Sequence, residues 1–102
     1  MAYEIVLPPD TQNEIEEFIE DRYIGQAAQM AAVDAVDHEI EKLAINPTLG
    51  AVPRGTPFQT RRVHRFRCTV GDVTRMAEIM YRINKKNETI VLSGFREVRL
   101  QF

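Results

Sequence analysis

Residues 61–68 read Arg-Arg-Val-His-Arg-Phe-Arg-Cys, four arginines and one histidine threaded through apolar positions. Arginine holds anions by geometry as well as charge: its planar fork meets two oxygens of one phosphate and stays protonated at any physiological pH. If this stretch is a β-strand, alternate side chains share a face. Arg61, Val63, Arg65 and Arg67 then point one way, and His64, Phe66, Cys68 and Val70 the other. The outward arginines stand at multiples of about 7 Å, a spacing commensurate with successive phosphates of a nucleic-acid strand. Five basic residues, Arg54, Arg61, Arg62, Arg65 and Arg67, occur with no acid between them. That pattern fits an anion-binding surface better than a merely solvated strand face. The alternative is an edge strand blunted by charge.

Other residues able to do chemistry are few. His64 is the one basic-strand side chain that titrates near neutrality, but its parity puts it with Phe66 on the core side. His38 falls on the polar side of an acidic helix. Tyr81 shares the parity of Ile79 and Ile83, so packing is its first role. Glu78 is either one half of an ion pair or a proton acceptor beside the arginines. Lys85 and Lys86 belong to a hairpin loop and extend the anion-binding set. Cys68 reads as a core thiol. No Gly-rich phosphate loop, no metal-ligand spacing and no Ser/His/Asp set can be assembled, so neither a cofactor nor a metal is expected.

The 102 residues are 44% hydrophobic and 27% charged, the balance of an ordinary soluble globular chain, and one domain is expected over 1–102. A single cysteine permits no internal disulfide and fits the cytoplasm. The N-terminal stretch 1–7 is too short and too acidic for a signal peptide, and no apolar run reaches membrane-spanning length. The net charge of −2 hides a division. Residues 1–50 carry two basic side chains against eleven acids, whereas residues 51–102 carry eleven against four. One acidic and one basic face are expected.

The elements that would position these groups follow from periodicity. Residues 2–7 form a short strand ended by Pro8-Pro9. Thr11-Gln12-Asn13-Glu14 has capping-box form, and Ile15, Phe18, Ile19 and Tyr23 continue at helical spacing to about Tyr23, where Gly25 interrupts. A second helix covers 26–45 with Val33, Val36, Ile40 and Leu43 on one stripe, and Asn46-Pro47 ends it. Residues 48–58 hold two prolines and two glycines and read as loop. Strands follow at 60–70, 76–84 and 89–95, joined at Gly71-Asp72 and at 85–88. The expected fold is α+β: an N-terminal strand, a helical hairpin, then a three-stranded antiparallel meander. Together they make one mostly antiparallel sheet covered on one face by the two helices. The other face stays open.

In this arrangement the chain resembles the RelE/ParE superfamily of bacterial toxins over nearly its whole length. The resemblance is carried by Leu43-Ala44-Ile45-Asn46-Pro47 at the end of the second helix and by Arg65-Phe66-Arg67-Cys68-Thr69-Val70-Gly71-Asp72. Tyr81-Arg82-Ile83 and Gly94-Phe95-Arg96 complete it. Such proteins commonly carry an arginine where this chain has Glu78. The resemblance implies the toxin of a type II toxin–antitoxin system, concerned with growth inhibition and plasmid stabilisation, partnered by an antitoxin whose acidic, amphipathic segment wraps it. The RelE branch cuts messenger RNA on the ribosome as a metal-independent, RNA-binding endoribonuclease. The ParE branch inhibits DNA gyrase. A third possibility is a non-enzymatic member that only binds an antitoxin or other acidic partner. For RNA cleavage the catalytic set would be Arg65, Arg67, Arg82 and Arg96 with His64 as the proton-transfer group, and Arg54, Arg61, Arg62, Lys85 and Lys86 would hold substrate.

Overall fold

The structure, a computed structural model, describes residues 2–99. In chain order it contains β1 (Glu4–Val6), α1 (Pro9–Arg22), α2 (Gln26–Ile45), β2 (Arg61–Val70), β3 (Val73–Asn84) and β4 (Thr89–Val98). The four strands form one sheet in the order β1-β4-β3-β2. The β2–β3 and β3–β4 pairs are antiparallel, whereas β1 runs parallel to β4 through Glu4↔Thr89, Ile5↔Ile90 and Val6↔Val91. The long intervening segment is what lets β1 and β4 pair in the same direction. Among the described residues no helix is long and apolar enough to cross a membrane.

Both helices pack on one face of the sheet. Ile15, Phe18 and Ile19 of α1 and Ala32, Val36, Ile40 and Leu43 of α2 meet Phe66, Cys68, Ala77, Ile79, Tyr81, Ile83, Ile90, Leu92 and Phe95. Phe18 stands edge-on to Phe95 at 5.2 Å and to Tyr23 at 5.9 Å between ring centroids, the geometry aromatic quadrupoles favour. The Tyr23 hydroxyl ends in the core but donates to the Cys68 carbonyl at 2.7 Å. Its burial and that hydrogen bond push its pKa far above the ordinary tyrosine range.

Three sequence expectations need correction. Helix α1 begins at Pro9, with Pro8 as N-cap, so Thr11 does not cap it. Proline is favoured in the first turn because the N–H it lacks would have no partner there. Thr11 is instead buried, and its hydroxyl donates to the Leu92 carbonyl at 2.8 Å, joining helix to sheet. On α2 the buried stripe uses Ala32, while Val33 is 43% exposed. The hairpin strands are longer than their apolar residues indicate, because β3 starts at Val73 and β4 ends at Val98. Gly71 at φ +59° turns the chain tightly enough for Val70 to pair with Val73, so the ladder runs up to the turn.

One irregularity sets the outer face. Tyr81 pairs with Leu92 but Met80 pairs with Gly94, which leaves Ser93 as an extra residue in β4. This bulge lets Leu92 and Phe95 both face the core although they are three residues apart. A Cβ on Gly94 would lie 2.8 Å from the Met80 methyl, so glycine leaves that methyl its room.

The Thr11 anchor is testable. Replacing Thr11 by Val keeps the volume but leaves the Leu92 carbonyl without its donor. Urea unfolding is expected to show a loss of about 1–2 kcal/mol. An unchanged unfolding midpoint would mean that the helix does not depend on this bond.

Candidate anion-binding face

On the face away from the helices, the ladder sets side chains in rows. At one end Arg61 stands opposite Arg82, which in turn faces Val91; next come Val63, Met80 and Gly94. The third row is Arg65, Glu78 and Arg96, and the fourth is Arg67, Met76 and Val98. Cross-strand neighbours on one face lie about 4.5–5.5 Å apart at Cβ, so register alone brings residues of β2 and β4 to either side of a β3 residue.

The third row holds the site's defining contact. Glu78 lies on the uncovered face, yet its side chain is only 5% exposed. Arg65 donates to Glu78 Oε2 through Nη2 at 3.0 Å and through Nε at 3.3 Å, and Arg96 Nε donates to Oε1 at 2.7 Å. The two arginine side chains remain 57% and 68% exposed. A guanidinium has five N–H donors, so each keeps several free to face outward. Burial alone would raise the Glu78 pKa. The hydrogen bonds from Arg96 and Arg65 outweigh it and hold the carboxyl below its ordinary value. Glu78 is therefore an ionised buttress under two cations, and the row carries net positive charge.

The remaining predicted residues fall into three groups. Arg67 and Arg82 are exposed on the same face as the triad. Arg61 is exposed there too, its guanidinium 5.2 Å from the centre of the Phe58 ring. Lys85 and Lys86 are exposed in the β3–β4 turn, three and four residues beyond Arg82, and Arg54 is exposed in the loop after α2. Arg62 does a different job. It points away from this row, and its fork donates to the carbonyls of Gln59 at 3.0 Å and Gly50 at 2.9 Å, tying down the Pro/Gly loop. His64 is on the helix side of the sheet. Its Nε2 lies 3.1 Å from Glu39 Oε1 and its ring stacks on Phe66 at 5.8 Å. It is not brought to the arginines, as its strand parity indicates.

The loop over residues 46–60 is held at a second point. The buried Tyr81 hydroxyl donates to the Pro47 carbonyl at 2.7 Å and accepts from the Gly50 N–H at 2.9 Å. Burial raises its pKa, partly offset by the Gly50 bond. A Cβ at Gly50 would sit 2.7 Å from that hydroxyl. Ala51 also exchanges both backbone hydrogen bonds with Val63. The loop so fixed forms one wall of a depression of about 340 Å³, lined by Pro53, Arg61, Val63, Met80, Arg82 and Ser93 among others. Sequence reasoning missed Ser93 and Met80 as site residues. The available signal was a glycine, Gly94, inside a strand pattern.

No protein-family model and no curated protein matches the sequence. Solved structures do. The chain resembles the E. coli toxin RelE in its free state, with a TM-score of 0.60 and 12% identity over 93% of this chain and 82% of that one. It also resembles a chain of the Mycobacterium tuberculosis RelBE2 toxin–antitoxin complex, with a TM-score of 0.56 and 14% identity over 96% of this chain and all of that one. The fold is that of the RelE-type toxins.

Glu78 gives a pH prediction with a definite sign. Its folded pKa lies below the ordinary 4.5, so its stabilising contribution is present above that value and is lost as pH falls through the folded pKa. Glu78→Gln keeps the shape but removes the charge. Thermal unfolding is expected to show a cost of about 1–2 kcal/mol at pH 7, since the arginines are largely solvated. That difference should close as the medium is acidified. A difference that stays constant down to pH 2 would refute the buttress.

Proposed function

We propose that this chain is the toxin of a toxin–antitoxin pair, and that it inhibits translation by cutting messenger RNA in the manner of RelE. The observation that carries the reading is the Arg65–Glu78–Arg96 row on an uncovered basic face of a RelE-type fold. Two guanidinium groups held by one carboxylate can both donate to a single phosphodiester. Arg67 follows one row along the strand, and Arg61 and Arg82 two rows the other way. Such preformed donors stabilise the charge that develops on a phosphorane when a 2′-oxygen attacks phosphorus.

Arginine supplies that stabilisation but does not accept the 2′-hydroxyl proton at neutral pH. Glu78 is buried, and its oxygens are occupied by the two arginines, so it acts through them. A face with strong charge stabilisation and weak acid–base capacity suits an enzyme that cuts only where the ribosome presents the message. The same face would attract the acidic segment of an antitoxin, which neutralises the arginines and blocks substrate together. The reading puts the protein in the cytoplasm, with no metal required.

Induced expression without antitoxin is expected to arrest growth and leave messages cut at the ribosomal A site. Arg65→Ala with Arg67→Ala should restore growth while the circular dichroism spectrum stays unchanged. Intact messages together with trapped gyrase–DNA complexes would overturn this reading in favour of a ParE-type action on gyrase.

A further inference from the structure

We propose that the depression between the Pro/Gly loop and the β3–β4 bulge receives one unstacked nucleobase of the bound RNA. The inference rests on the reading that the outer face binds nucleic acid, and it adds a base-contacting subsite to what is otherwise a backbone-binding surface.

The depression has the composition such a subsite needs. Its volume of about 340 Å³ lies at the low end of the roughly 300–1,000 Å³ typical of small-ligand sites, which suits a single heterocycle. Val63 and Met80 give an apolar floor, and Gly94 opposite Met80 leaves room for its methyl. A thioether over a ring is a favourable, adaptable contact. Arg61 and Arg82 stand across from each other at the rim, where guanidinium planes stack on bases as well as holding phosphates. The exposed Phe58 ring packs against the Arg61 guanidinium and so helps to hold it at that rim. Ser93, the extra residue of the bulge, is exposed and brings a hydroxyl to the wall.

The depression is also preformed. Tyr81 and Arg62 anchor its loop wall from beneath through Pro47, Gly50 and Gln59. It opens one to two rows from Arg65 and Arg96, so a nucleotide whose phosphate meets that pair has its neighbour's base within reach. A larger depression at the other end of the sheet is a poorer fit. It is lined by Arg22, Arg75, Glu97 and Arg99, and Arg22 there is already paired with Glu97.

The test compares a fluorescently labelled RNA hexamer with the same hexamer carrying central abasic nucleotides, by anisotropy at low salt. The wild-type protein is expected to bind the intact hexamer roughly 10-fold more tightly, the scale of one stacked base. Ser93→Phe, which fills the depression and leaves every arginine in place, should lower intact-hexamer affinity to the abasic level without changing abasic binding. Should that variant not fold, Phe58→Ala, at an exposed position, is expected to reduce the ratio several-fold. Equal binding of the two hexamers by the wild type overturns the base pocket while leaving the basic face as a backbone site. Failure to bind either hexamer overturns the nucleic-acid reading and the pocket with it.

Discussion

A carboxylate taken out of water on a sheet face must have its charge matched where it sits, because the desolvation of an unpaired charge is among the largest penalties a small domain can meet. Glu78 is such a group, and its position on the central strand β3 imposes much of what surrounds it. Both neighbouring strands must offer a cation in register, which Arg65 and Arg96 do from β2 and β4. Both cations must remain partly in solvent, or the row would become a buried three-charge cluster. The consequence is a face that is rigid at its base and positively charged at its surface.

The opposite face is governed by a different demand. Helices α1 and α2 and the inward side chains of β2, β3 and β4 bury a single apolar layer, while eleven acids collect in the half of the sequence that forms the helices. The sheet thus separates an acidic outer helix surface from a basic strand surface. Tyr81 and Arg62 connect the two sides. Each starts from the core-facing parity of its strand and reaches the backbone of the loop after α2. The loop's prolines and glycines leave it without regular structure, so these two side chains and the Ala51–Val63 bridge hold its shape.

Much of this was legible in the sequence, for physical reasons that can be named. The alternation in β2 separated Arg61, Arg65 and Arg67 from His64 because a strand has a strict period of two. In β4 the Ser93 bulge resets that period and puts Arg96 on the triad face. Nothing local signals a bulge except Gly94, whose reason lies across the ladder in Met80. Arg61 and Arg62 are adjacent, so the same period sends them to opposite faces, but that Arg62 ends on the carbonyls of Gln59 and Gly50 depends on the fold. Thr11 matched a capping motif, but Pro9 already started the helix, which freed its hydroxyl for β4. Glu78 could be recognised as an ion-pair residue; that it holds two arginines, and is itself buried, depends on a register that sequence spacing alone does not fix.

The central claim is that Arg65 and Arg96, joined through Glu78, act as one anion site on the open face. The most direct measurement is an NMR titration of the arginine Nε–H signals with a short RNA. Those of Arg65 and Arg96 are expected to shift together with a common binding constant, while the signal of Arg22, on the helix side, stays in place. Independent shifts at Arg65 and Arg96, or a response confined to Arg22, would contradict the account.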